Sequence, residues 1–233
     1  MTAHIGAPPK GTGMTLTANA DTSCEPGNRV TKSLLGYGVI AGPIYVLVSL
    51  TQALTRAGFD PGRHAWSQLS NGDLGWLQIT NLMLTGLMTV AAAIGLRRAT
   101  APGRWVPRLV GAYGVAMVAA GVFRADPALG FPLGTPAQFH DVSWHGTLHF
   151  VAGGIGFAAI IAACLILGSR FAAENRPGWA LFSRVTGVLF LAGFVAIASG
   201  SGSAAAILAF TAAVILISAW LSAVSVHFYR RVR

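Results

Sequence analysis

His145 and His149 stand four residues apart in Ser143-Trp144-His145-Gly146-Thr147-Leu148-His149, just before a long apolar run. On a helix that spacing puts both imidazoles on one face. Two imidazoles so placed can chelate one metal ion, and a third ligand would complete a catalytic site with an open position. Zinc is the ion such a set suggests, with His64 as the third histidine. Asp126 or Asp60 could orient an imidazole or act as a base. The zinc-protease pattern His-Glu-x-x-His is absent, because Gly146 stands where the Glu would be. The alternative for the same two histidines is structural: hydrogen bonding and anchoring at a membrane interface. Ser67 follows His64 and Asp60 in one loop and invites a nucleophile reading. A serine nucleophile needs a base within reach and an oxyanion hole. No Gly-x-Ser-x-Gly elbow surrounds Ser67, and Ser67 or Ser70 could instead cap a short helix or close a turn.

The elements that must position these residues are membrane spans. Apolar residues make up 54% of the 233-residue chain and charged residues only 10%, and the apolar ones fall in runs long enough to cross a hydrocarbon core as helices. Six runs are expected, at 34–54, 76–96, 109–123, 143–168, 179–198 and 204–228. The third is short unless Trp105 and Arg124 mark its two interfaces. The fold class is therefore all-α: a polytopic bundle of six transmembrane helices over 33–233, preceded by a polar, disordered cytoplasmic tail at 1–32. The tail lacks the apolar core of a signal peptide, so the first span is expected to act as an uncleaved targeting segment. Cys24 in the tail and Cys164 in the fourth span are not expected to form a disulfide.

The net charge of +9 has a topological cause. Thirteen of the sixteen Lys and Arg residues fall in the termini and the alternate loops that share their side. Positive residues stay inside, so both termini are expected in the cytoplasm, with the chain in the plasma membrane and no nucleic-acid partner. That orientation puts Asp60, His64, Ser67, Asp73, Asp126, His140 and Asp141, with the two helical histidines, at the outer leaflet. Trp66, Trp76 and Trp144 would form an outer aromatic belt, and Trp105 and Trp179 an inner one. Gly38 and Gly42 make a GxxxG packing face, followed by a kink at Pro43. Glycines at 111, 114 and 121, and at 153, 154 and 156, are read the same way. Gln52, Asn81 and Thr85 are expected to hydrogen-bond between helices. No span carries an acidic residue at its middle, which argues against a proton-coupled pump.

Several ordered motifs resemble the bacterial and archaeal integral membrane family known as domain of unknown function 998. They are Ala41-Gly42-Pro43, the loop from Gly58-Phe59-Asp60-Pro61 through Trp66-Ser67-Gln68-Leu69-Ser70, Gly75-Trp76-Leu77-Gln78, Gly121-Val122-Phe123-Arg124-Ala125-Asp126-Pro127, and the Ser143–His149 stretch. The resemblance runs from about Leu34 to Arg231 and implies a membrane fold without an assigned activity. In residue types alone, His64, Ser67, Asp126, His145 and His149 are also similar to the membrane hydrolases that include alkaline ceramidases and progestin/adiponectin receptors. Those proteins set Ser, Asp and His around an embedded zinc. This chain departs from them in having six spans instead of seven, with its HxxxH on the fourth helix instead of the last.

Two functions follow as expectations. One is a metal-dependent hydrolase acting on a lipid or lipid-linked substrate at the outer leaflet, with His145, His149 and His64 as ligands, Asp126 or Asp60 as base or orienting group, and Ser67 assisting. The other is a non-enzymatic scaffold, sensor or small-solute transporter, whose polar cluster binds a small molecule or partner.

Overall fold

Each apolar run folds as one helix in the computed structural model, which describes residues 2, 26–99, 103–138, 142–200 and 202–232. The helices are α1 (Pro26–Thr55), α2 (Gly75–Arg98), α3 (Trp105–Val122), α4 (Trp144–Ala173), α5 (Pro177–Ala198) and α6 (Ala204–Tyr229). All six are long and apolar enough to cross a membrane. A 3-10 turn covers Trp66–Ser70, and the described residues hold no β-strand beyond one bridge between Ala128 and Phe131. Cys24, His140, Asp141 and nearly all of the expected tail lie outside the described residues; α1 starts at Pro26, within the segment assigned to the tail. Starting α3 at Trp105 gives the third span 18 residues, about 27 Å at 1.5 Å per residue.

Each helix packs on its neighbours in sequence, and α6 closes the circle against α1. The result is a ring of six. Lys32 near the start of α1 lies over the ring of Tyr229 at the end of α6, 5.9 Å from its centroid. Arg98 at the end of α2 donates to Thr31 Oγ1 (3.1 Å). The start of α1 and the end of α6 thus gather at one end of the ring, the base; residues 56–74, with 123–138 and 142–143, form the opposite end, the crown.

Glycine sets the spacing of the ring. A Cβ on Gly86 would stand 2.6 Å from the Gly114 carbonyl oxygen, and one on Gly114 2.7 Å from that of Gly86, so α2 and α3 touch backbone to backbone there. Gly38 and Gly42 bring α1 against α6, where a Cβ would run into the Ser225 hydroxyl and the Ser218 carbonyl. This is the small-residue packing that GxxxG spacing implies. Large apolar side chains cover the outside, with Leu47, Leu54, Val115, Ile155 and Leu181 all exposed, as a surface facing lipid requires. The base half of the interior is filled by Leu35, Leu96, Ile160, Leu167, Phe171 and Phe228, all buried.

Candidate functional site

The crown is stitched from its two segments. The Asp60 amide donates to His64 Nδ1 (2.9 Å), so Nε2 carries the ring proton and donates to the Leu129 carbonyl (3.1 Å). His64 is buried and packs against Phe59 and Phe131. Arg56 donates to the Leu69 and Asn71 carbonyls and lies 5.0 Å from the centroid of the Phe131 ring. Burial holds its guanidinium below the ordinary arginine range, with Asp73 acting in the opposite sense. Asn71 Nδ2 donates to the Ala125 carbonyl (3.0 Å). Long polar side chains thus satisfy loop carbonyls that water would otherwise solvate.

Asp60 and Asp126 serve this scaffold. Asp60 Oδ1 accepts from the Gly62 amide (2.8 Å) and closes a turn. Asp126 starts α4: its oxygens accept from the Ser143 amide (2.8 Å) and hydroxyl (2.6 Å), while Ser143 Oγ accepts from the Gly146 amide (3.1 Å). That is an N-cap with a carboxylate behind it, favoured by the positive end of the helix. A Cβ on Gly146 would collide with Asp126 Oδ2. Glycine in the middle of the HxxxH motif is what lets the carboxylate approach.

The two histidines of that motif part company. His149 is buried between α4 and α3, where Nδ1 donates to the Ala120 (3.1 Å) and Phe123 (2.9 Å) carbonyls. The last carbonyls of a helix lack intrahelical partners, and this imidazole caps α3 from the side. His145 is exposed and lies on the Trp144 ring, centroids 3.6 Å apart. Among the described residues no three His, Cys, Asp or Glu side chains gather as a metal-binding group. The expected His145–His149–His64 zinc set is therefore not brought together: both nitrogens of His64 are engaged, and His145 stacks outside the bundle. These donors do not fit a bound zinc.

What the ring does assemble is a central cavity of about 150 Å³ directly beneath the crown, and all six helices contribute to its wall. Among the described residues its polar side chains come from Tyr45, Trp66, Ser67, Tyr113, His149 and Thr211; the rest of that wall is apolar, with no Lys, Arg, Asp or Glu. With Nδ1 donating to α3, Nε2 makes no hydrogen bond to a described residue, and in the Nδ1–H tautomer it carries the lone pair. The Tyr113 hydroxyl likewise makes no hydrogen bond to a described residue. Phe157 packs edge-on against Phe190, Phe194 and Phe210 at 5.1–5.5 Å, and Phe157, Phe194 and Phe210 all line the cavity. Gly153 and Gly154 open α4 at this level: a Cβ on Gly154 would meet nothing within 4 Å. Trp66, expected in the outer belt, is instead buried, edge-on to Tyr45 (6.0 Å) and in the cavity wall. Trp76, Trp105 and Trp144 are exposed at helix starts. A second void of about 10 Å³ lies beside the first and shares Tyr45, Tyr113 and Met117 with it. The Thr85 hydroxyl in its wall is buried without a partner.

Ser67 is half-buried on the cavity wall, and its carbonyl accepts from the Ser70 hydroxyl (2.7 Å), which closes the 3-10 turn. Gln52, Gln78, Asn81 and Ser49 form the interhelical amide network between α1 and α2, including Gln52 Nε2 to Gln78 Oε1 at 2.9 Å and Asn81 Nδ2 to Ser49 Oγ at 3.1 Å. Sequence reasoning missed Tyr45 and Tyr113. Their signal is position: of four tyrosines, these two sit inside apolar runs instead of at a span end.

No curated protein and no solved structure matches the chain. The family model DUF998, described as a protein of unknown function, matches residues 39–227, from the middle of α1 to the last turn of α6 and across the whole cavity wall; the chain belongs to that family of multi-pass membrane proteins.

Proposed function

We propose that this protein binds a small, uncharged, largely apolar molecule in its central cavity, with the crown facing the extracytoplasmic side of the plasma membrane. The orientation rests on the distribution of Lys and Arg, which favours a cytoplasmic base. The observation that carries the binding reading is His149, whose Nδ1 is fixed by two carbonyls in the wall of an otherwise apolar cavity. A mostly apolar pocket with a few placed polar groups is the usual form of a small-molecule site. The absence of charged residues from the wall disfavours phosphate and carboxylate ligands, whose desolvation would go uncompensated.

The test is to purify the protein from its own membranes and analyse its organic extract by mass spectrometry. Gly154→Leu, which fills the cavity from a position with free space, serves as the comparison. An uncharged species near one per chain in the wild type and depleted in the variant is expected. Identical extracts, with no such species, would defeat the reading.

One observation favours a second reading. Ser67 and His149 share the cavity wall, and an imidazole oriented at one nitrogen suits a general base. A metal-free acyl hydrolase would then use Ser67 as nucleophile. Covalent labelling by a fluorophosphonate, lost in Ser67→Ala, would support it; no labelling of Ser67 in protein that retains its extracted ligand would exclude it.

A further inference from the structure

Resting on the reading of the cavity as a ligand site, we propose that its occupant is a single six-membered ring with oxygens at opposite positions, a quinol, whose alkyl tail leaves between α4 and α5 into the lipid. Size limits the choice first. About 150 Å³ is the volume of an apolar cavity that takes up benzene, enough for one ring. The polar groups limit it next. His149 Nε2 sits near the crown, and its partner nitrogen is bound at Ala120. Tyr113 lies seven residues earlier on α3, about 10 Å towards the base at 1.5 Å per residue. The wall thus offers an acceptor near one end and a hydroxyl near the other, with apolar surface between. A plain hydrocarbon tail would leave both unpaired, which costs binding energy. A ring bearing a hydroxyl at the His149 end and an oxygen opposite matches them: the quinol O–H donates to Nε2, and the Tyr113 hydroxyl donates to the oxygen opposite.

The route for the tail is lateral. Gly153 and Gly154 leave α4 without side chains at this level, Phe150 beside them is 58% exposed, and Ile197 on α5 is half-buried. All four belong to the cavity wall. Lower down the same two helices close tightly, where a Cβ on Gly187 would stand 3.0 Å from Cys164 Cβ. The gap therefore lies near the crown and faces lipid.

Equilibrium dialysis of the full-length protein in nanodiscs against a decyl-tailed benzoquinol kept reduced is the assay, with decanol as a tail-only competitor and the matching benzoquinone, which has no O–H for Nε2, as the comparison. Saturable binding is expected, weakened at least tenfold in Gly154→Leu and roughly three- to tenfold both in Tyr113→Phe and for the benzoquinone, each the loss of one hydrogen bond. Decanol should not compete. Competition by decanol as strong as by added quinol would overturn the ring assignment while leaving a small-molecule cavity intact. Binding that never saturates, or is equal in wild type and Tyr113→Phe, would overturn it as well. Failure of the quinol and decanol alike to bind, with no species in the organic extract, would remove the binding reading too.

Discussion

Two glycines on helices α2 and α4 should respond in opposite directions to the same added methyl group. Gly154→Ala places a Cβ where nothing lies within 4 Å, and Gly86→Ala places one 2.6 Å from the Gly114 carbonyl oxygen and 2.9 Å from the Val118 amide nitrogen. Both changes remove the entropic penalty of glycine in a helix, worth about 0.5–1 kcal/mol. At Gly154 nothing opposes that gain, so a rise in stability of this size is expected. At Gly86 the new carbon is about 0.8 Å short of ordinary contact with backbone atoms, which cannot rotate away; α2 and α3 must separate. Overpacking of this kind costs roughly 1–3 kcal/mol, so the net effect is a loss centred on about 1 kcal/mol and reaching about 2.5 kcal/mol. At ~2–4 °C per kcal/mol for a chain of this size, the two melting temperatures should fall on either side of wild type. Thermal unfolding followed by circular dichroism in one detergent measures both. If Gly154→Ala loses as much as Gly86→Ala, α4 is tightly packed where the structure leaves it open, and the cavity argument fails. A neutral Gly86→Ala would refute the backbone contact between α2 and α3.

The capping of α4 should behave as one unit: Asp126→Ala and Ser143→Ala should each cost about 1 kcal/mol. The double variant should cost clearly less than their sum in the same melts, and full additivity would show that the two residues act separately. Thr85→Val removes a buried hydroxyl with no partner and should raise stability by up to about 1 kcal/mol. A loss would mean that a water or ligand in the adjoining void satisfies it. His64→Ala should open the crown, leaving the Leu129 carbonyl and Asp60 amide unpaired at a cost of roughly 2–4 kcal/mol, and raise protease cleavage within 56–74. It should leave the zinc content unchanged by elemental analysis, and stoichiometric zinc that disappears with His64 would refute the role assigned to that ring.

The spans were legible because hydropathy and helix length are local properties. The expected 204–228 run and the observed Ala204–Tyr229 helix differ by one residue, and the GxxxG at Gly38 and Gly42 packs as its spacing implies. Other features depend on which way a residue faces, and a span boundary does not carry that. Trp66 lies near a span end, as a belt residue does, yet its 3-10 turn folds over the ring and buries it. The cavity is harder still to foresee, since it is made partly of what is missing. Gly153, Gly154 and Gly156 look alike in sequence, but a Cβ on Gly156 would stand 2.6 Å from Ala116 Cβ, one on Gly153 would only touch the Phe157 ring at 3.8 Å, and one on Gly154 would meet nothing within 4 Å. Closure of α6 onto α1, which creates the central space, is a relation between the two ends of the domain that no local window contains.

The separation of His145 from His149 shows why helical spacing alone could not decide the chemistry. Four residues amount to about 6 Å of rise and a 40° turn, close enough for chelation on a helix that is enclosed along its length. Here α3 ends at Val122, one turn short of the start of α4. His149 still has α3 beside it and uses its Nδ1 on the carbonyls of Ala120 and Phe123. His145, one turn further out, has passed the end of that helix and, among the described residues, its ring contacts are the Phe123 ring, 6.0 Å away, and its neighbour Trp144. The short third span is therefore what divides the pair. It also leaves the α3 carbonyls in need of a donor, and meeting that need fixes the tautomer that turns the Nε2 lone pair away from α3. A longer α3 would satisfy those carbonyls itself and free the His149 ring to rotate. Structure at one helix end and ligand recognition in the cavity are thus carried by opposite nitrogens of one imidazole.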